Sequence, residues 1–237
     1  MKILITSGGT TEPIDAVRGI TNHATGRLGQ LLAQLFLDKG HQVTLVTSPG
    51  SYRPEKHKRL KLIEVSTVNS LQNVLEHLVK DHQVFIHSMA VSDYSPVYMT
   101  DLEDVMASKD LSQLLKRHNH QGKISSSSDY QVLFLKKTPK LISLVKKWNP
   151  DIRLIGFKLL VNVPKEQLLQ VARTSLHKNQ ADLIVANDLY QIKQDQHQAY
   201  LVSAEGYQTL TSKPAIAQAI YERVISNDKN HPPRCQR

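Results

Sequence analysis

Sulfur and aromatic side chains are scarce in this chain, with 1 cysteine, 1 tryptophan and 4 phenylalanines among 237 residues and aromatics at only 5 %. The lone Cys235, set in the polar stretch 226–237, has no intrachain partner, which excludes a disulfide framework and a cysteine-based metal site. Few aromatics and no recognisable reading motif argue against a nucleic-acid partner. Long apolar runs are missing too. Stretches such as Ile3–Ile5 and Leu183–Ala186 fall far short of the roughly 20 residues that cross a bilayer. Met1 leads straight into a strand-like run, without the charged and apolar regions of a secretory signal. A cytoplasmic protein with no membrane partner is expected. Neither GxGxxG nor a Walker A loop occurs, which removes the commonest routes to dinucleotide binding and ATP hydrolysis.

Positive charge, by contrast, is abundant. The net charge of +9 attracts phosphates and polyanions alike without choosing between them. It is densest over Arg53–Lys61 and Lys136–Lys147, clusters that also suit a plain solvated face. The length fits one α/β domain, here expected over 1–225, with a polar tail at 226–237.

Periodicity gives the order of elements. Lys2–Ser7 is β-prone and stops at Ser7-Gly8-Gly9-Thr10-Thr11. After a long turn with Pro13, the segment Gly26–Lys39 carries Leu28, Leu31, Leu32, Leu35 and Phe36 on one helical face. Gly40 ends that helix. Gln42–Thr47 completes a βαβ unit. Further strands are predicted at 62–65, 83–87, 132–135, 154–159 and 183–186, and helices at 68–82, 138–148, 165–178 and 214–225. A hairpin is predicted over 199–203 and 206–210. Residues 98–121 fit no alternation and read as a helix-like insertion, followed by a serine-rich loop at 122–131. The whole implies a doubly wound, Rossmann-like α/β fold, mostly parallel, with an antiparallel C-terminal edge. Ligands of such sheets sit beyond the carboxyl ends of the strands, where the strand order reverses.

The residues after those strand ends carry the chemistry. Gly8 and Gly9 allow close approach of backbone to an anion, although a plain tight turn needs them equally. The run Gly8 to Gly29 places Arg18, Asn22 and the pair Thr25-Gly26 just ahead of a helix, so a guanidinium fork, an amide and helix dipoles converge. Asn22 and Thr25 each also suit an N-cap, and Asp93 a turn or cap.

This run, with Glu12-Pro13-Ile14-Asp15-Ala16-Val17-Arg18, Ile20-Thr21-Asn22 and Thr25-Gly26, resembles the phosphopantothenoylcysteine synthetases (phosphopantothenate–cysteine ligases). The similarity continues through Ala90-Val91-Ser92-Asp93-Tyr94, Gly122-Lys123-Ile124, Lys136-Lys137-Thr138-Pro139, Ile155-Gly156-Phe157, Lys178-Asn179 and Ala186-Asn187-Asp188. The resemblance implies a ligase of coenzyme A biosynthesis that joins 4′-phosphopantothenate to cysteine through an acyl-nucleotidylate. It would use CTP, or else ATP, with Mg²⁺ carried on the nucleotide and no dedicated metal ligands assigned. It implies a stand-alone synthetase without flavin, a homodimer, and a separate decarboxylase as a conceivable partner. By the same resemblance Asn22, Arg18 and Lys123 serve catalysis, Asn22, Arg18 and Ala90 the substrate, and Gly8, Gly9, Thr25, Gly26, Asp93, Lys123, Pro139, Lys140, Leu141, Ile142, Phe157 and Lys178 the nucleotide. Three departures stand out: Ser125 and Ser126 replace two flap lysines, Thr174 replaces a nucleotide lysine, and Met89 replaces the first of two alanines.

Two rivals come from other classes. An NAD(P)-dependent Rossmann oxidoreductase would need the missing glycine fingerprint, and an acidic residue after Val43–Thr47 where the sequence has Thr47-Ser48-Pro49. A basic nucleic-acid-binding protein would rest on the +9 charge alone.

Overall fold

A computed structural model of the chain describes residues 1–192 and 196–229. In chain order the elements are β1 (Lys2–Ser7), β2 (Thr11–Pro13), β3 (Gly19–Thr21), α1 (Arg27–Asp38), β4 (Gln42–Thr47), β5 (Leu60–Glu64), α2 (Val68–Leu78) and β6 (Val84–His87). They continue as β7 (Tyr94–Asp101), α3 (Leu102–Ala107), α4 (Leu111–Leu114), β8 (Gln131–Lys137), α5 (Val145–Trp148), β9 (Arg153–Leu160), α6 (Lys165–Asn179), β10 (Leu183–Ile192), β11 (His197–Val202), β12 (Tyr207–Leu210) and α7 (Lys213–Lys229).

The main sheet has eight strands in the order β12-β11-β10-β9-β6-β1-β4-β5. The six from β10 to β5 run parallel, while β11 and β12 add an antiparallel edge. This is the doubly wound α/β arrangement expected from the sequence. Strand β1 shows why it forms: Ile3, Leu4 and Ile5 are all fully buried, the unbroken apolar run of a strand covered on both faces. Leu4 packs with Leu71 and Leu75 of α2 and Leu168 and Ala172 of α6. Ile3 and Ile5 pack with Leu32 and Phe36 of α1 and Ile216 and Ile220 of α7. Truncating a core ring such as Phe36 to alanine costs about 3–5 kcal/mol, so each layer is worth a substantial part of the total stability.

Several boundaries differ from expectation. Tyr94–Asp101 is a strand that pairs antiparallel with β8 outside the main sheet, so residues 98–101 of the expected helix-like insertion are extended. Pro96 falls where that pairing shifts register, as a residue without an amide donor must. The expected insertion thus begins inside a ribbon, and only α3 and α4 in its remainder are helical. The expected helix at 138–148 is shorter: a 3-10 turn over Leu141–Leu144 leads into α5, and Lys140 is extended. The 68–82 helix ends at Leu78 and tightens into a 3-10 turn over Val79–Asp81. The long turn with Pro13 contains the hairpin β2–β3. Helix α7 runs to Lys229, inside the stretch read as tail; Cys235 and the rest of that tail lie outside the described residues.

The path of the chain fixes one special place. From β1 it winds outward to β4 and β5, then returns to β6 on the other side of β1 and proceeds to β9 and β10. The strand order therefore reverses between β1 and β6, and a crevice is expected beyond their carboxyl ends.

Candidate active site

Pairing of β1 with β6 continues past the strand ends. Gly9 and Ala90 form a further parallel bridge, in which the Thr10 amide donates to the Ala90 carbonyl (3.0 Å) and the Ala90 amide to the Gly8 carbonyl (2.8 Å). Asn22 lies directly on this rung. A Cβ at position 9 would stand 2.5 Å from the Asn22 carbonyl oxygen, so glycine is required there for close approach rather than for a turn alone. The Asn22 side-chain amide donates to the Ala90 carbonyl (3.4 Å) and the Ser92 hydroxyl (3.5 Å). Both bonds are long, and the residue is exposed; a ligand can take the amide over at little cost. Asn22 is therefore no N-cap. That position belongs to Gly26, at φ 76 and with no capping side chain, which leaves the first-turn amides of α1 to other acceptors. The Thr25 hydroxyl accepts only weakly, from the Arg27 amide at 3.4 Å.

Buried hydroxyls stiffen this platform. Thr10 Oγ1 donates to Ser92 Oγ (2.9 Å) while accepting from the Ser92 amide (2.9 Å). Thr138 Oγ1 donates to the Ser92 carbonyl at 2.5 Å. Beneath it, Thr6 Oγ1 bonds His87 Nδ1 at 2.7 Å, and burial pushes that imidazole down to about 4, so it stays neutral. Beside Asn22 opens a cavity of about 230 Å³ lined by Gly9, Thr21, Asn22, Ser48, Ser51 and Ser66, among others.

Arg18 is used differently from its neighbour. Its Nε and Nη2 donate to Asp15 Oδ2 (3.0 and 2.6 Å), and Nη2 also donates to the Ile124 carbonyl (2.9 Å). The Ile124 amide donates back to Asp15 Oδ2 (3.2 Å), and the Ala16 amide to the Gly122 carbonyl (3.0 Å). The Asp15 carboxylate has no exposed side-chain surface. The Arg18 guanidinium first, then the Val17 amide, holds it well below the usual carboxylate range. Gly122 and Ile124 are thus clasped to the 15–18 turn, and the exposed Lys123 between them is carried on a fixed backbone.

Asp93 follows Ser92 in the bend before β7 and forms an exposed ion pair with Lys140, so it caps no helix. The Thr138 amide donates to the Asp93 carbonyl (2.9 Å), which draws Pro139–Ile142 to the same place. Leu141 and Ile142 lie against the α2 and α6 face of the sheet, whereas Phe157 lies against the α1 and α7 face. Lys178 is not brought to this group. It sits in the last turn of α6, and the Asp182 amide just beyond bonds the carbonyl of Leu154 at the start of β9, at the opposite end of the strands from Gly9 and Ala90.

Sequence reasoning missed Asp15, Thr10, Ser92 and Thr138. For Asp15 a signal was present in its spacing of three residues before Arg18. No group of three or more His, Cys, Asp or Glu side chains among the described residues could hold a metal ion.

Residues 1–227 match the family model of the DNA/pantothenate metabolism flavoprotein C-terminal domain. The crystal structure of the DNA/pantothenate metabolism flavoprotein from Streptococcus pneumoniae is 54 % identical, with a TM-score of 0.92, and the match covers 96 % of this chain and 99 % of that one. The coenzyme A biosynthesis bifunctional protein CoaBC of Methanocaldococcus jannaschii is 29 % identical over 226 residues, 94 % of this chain and 50 % of the relative. The chain spans about half the length of the curated relatives it matches. A Cab2 variant solved in complex with phosphopantothenate-cysteine shares the fold at 21 % identity and a TM-score of 0.72, over 96 % of this chain and 88 % of that one. No helix among the described residues is long and apolar enough to cross a membrane. By match over nearly its whole length and by fold, the chain belongs to the DNA/pantothenate metabolism flavoprotein C-terminal domain family.

Proposed function

We propose that the chain catalyses the ligation of 4′-phosphopantothenate to cysteine, with CTP, or else ATP, as the activating nucleotide. One observation carries the reading: the Asn22 amide, held by weak bonds over the Gly9–Ala90 rung, faces a hydroxyl-lined cavity where the strand order reverses. The names of the bifunctional relatives and of the Cab2 complex support the pathway and the product.

In the first step a carboxylate oxygen of phosphopantothenate attacks the α-phosphorus, and the bond to pyrophosphate breaks. In the second the cysteine amine attacks the acyl carbon, expels the nucleoside monophosphate and releases a proton. Anions meet in the first step, so the site must supply fixed positive charge and dipoles rather than a strong base. Lys123 offsets phosphate charge, and the uncapped start of α1 offers amides to a phosphate oxygen. Asn22 donates to the acyl-nucleotidylate, and Ala90 bounds the same subsite. Asp93 accepts from the exocyclic amine of the base by exchanging its partner Lys140. Magnesium would arrive on the phosphates, since that ion is seldom held by a full protein cage and no such cluster is present among the described residues.

We propose further that the working form is a homodimer. Tyr94, Met106, Leu111, Leu115, Tyr130 and Leu135 are each at least 45 % exposed and all fall in the segment 94–135. Other large apolar side chains are exposed as well, Val17, Tyr52, Val161 and Tyr190 among them, but six in this one stretch suit a contact face.

The test is a pyrophosphate assay with phosphopantothenate, Mg²⁺ and either nucleotide. One equivalent is expected without cysteine, and continuous turnover with it. No release with CTP and none with ATP refutes the proposal.

A further inference from the structure

The basic cluster Arg53–Lys61 takes no part in the site above, yet Lys58, Arg59 and Lys61 line a second cavity at the amino ends of the strands. That cavity, about 370 Å³, is bounded by Lys2, Lys58, Arg59, Lys61, Asp81 and His82, over a floor that includes Val43, Thr44, Leu60 and Leu78. Register explains the convergence. Lys2 pairs with Gln42, Leu4 with Thr44, and Thr44 with Lys61, so a period of two puts Lys2, Gln42, Thr44 and Lys61 on the face that carries Leu4. Helix α2 covers that face through Leu71 and Leu75 but stops at Leu78. The starts of β1, β4 and β5 are left open there.

Two features separate this place from an ordinary solvated patch. Four cations face one hollow, Asp81 is the only carboxylate lining it, and among the described residues none of the four forms an ion pair. Asp81 offsets only part of that positive charge, so a bound anion is favoured there. Second, the floor is built rather than incidental: His82 is only 8 % exposed, with Nδ1 on the Leu78 carbonyl (2.6 Å) and Nε2 on Thr44 Oγ1 (2.9 Å). The volume falls in the range of small-molecule sites, roughly 300–1,000 Å³. We infer that this cavity is a second anion site, which takes a small ligand bearing two or three adjacent phosphate groups. It stands at the amino ends of the strands, remote from Gly9 and Asn22, and does not depend on the ligase reading.

His82 supplies a local reporter. Burial foremost holds its imidazole below the usual value, and Lys2 and Lys61 add to this against the Leu78 carbonyl and Asp81. A bound polyanion must shift it upward. The experiment follows the His82 ring resonances of the full chain by NMR during titration with inorganic pyrophosphate. Saturable movement with a raised His82 pKa is expected, and Arg59→Gln with Lys61→Gln should weaken the apparent affinity by at least ~10-fold. A control that removes the same charge elsewhere, Lys109→Gln with Lys116→Gln, should titrate like the wild type, and all these side chains are exposed, so folding is not at issue. Ring signals that stay unmoved at millimolar pyrophosphate overturn the proposal. So does a cavity variant that titrates like the wild type, or a control weakened as much as the cavity variant.

Discussion

Asn22 and Arg18 stand in one motif but have opposite freedom. The Asn22 amide is held at 3.4 and 3.5 Å, while Nε and Nη2 of Arg18 are engaged with Asp15 and Ile124. Under the ligase proposal, Asn22→Ala and Lys123→Ala should each lower turnover by at least ~100-fold, with unfolding midpoints close to wild type because both side chains are exposed. Full activity in either variant removes that residue from the mechanism. Under the same proposal Arg18 would act at one remove, through the backbone around Lys123. Asp15→Asn weakens its charged partner, so limited trypsin digestion should cut after Lys123 faster than in the wild type; unchanged cleavage would mean that the clasp does not hold this segment. An arginine in this motif suggests substrate contact, and only the fold reveals that its Nε and Nη2 are already engaged.

What could be read of the elements follows how strongly each is patterned. Helices α1 and α2 announce themselves by apolar residues on one face, and β1 and β4 by unbroken apolar runs, so the alternation and the location of the site were legible. Strand β7 was not, because mostly half-buried Ser, Val, Tyr and Met residues with Pro96 in their midst give neither period clearly. Hairpin β2–β3 has strands of three residues, with β3 wholly exposed, and so carries no core signal. Motif order likewise has no direction: Lys178 follows Phe157 in sequence, but α6 carries it to the amino ends of the strands. The turn after β1 gives a sharp test at this level. Gly9→Ala must push the Asn22 backbone aside from a 2.5 Å contact, and should cost about 1–3 kcal/mol along with activity. A denaturant midpoint equal to wild type would show that the loop yields freely.

For the molecule as a whole, acid is the natural stress, because the platform rests on a neutral histidine. His87 is held at about 4 against an ordinary 6.5. Above about pH 6.5 the imidazole is neutral whether folded or not, and its share of stability is complete. As pH falls from there toward 4, the unfolded chain takes up a proton that the fold refuses, and about 3 kcal/mol should be lost. Denaturant unfolding at pH 7 and pH 5 should show a smaller loss in His87→Gln than in wild type; equal losses would assign acid sensitivity elsewhere. The rung between Gly9 and Ala90 has a wider meaning. It ties together two lengths of chain some 80 positions apart, each leading into its own half of the sheet. A ligand seated on it is thus gripped by both halves together, and the Thr10 and Ala90 amides should exchange their hydrogens more slowly once the site is filled, turning two backbone protons into a gauge of occupancy.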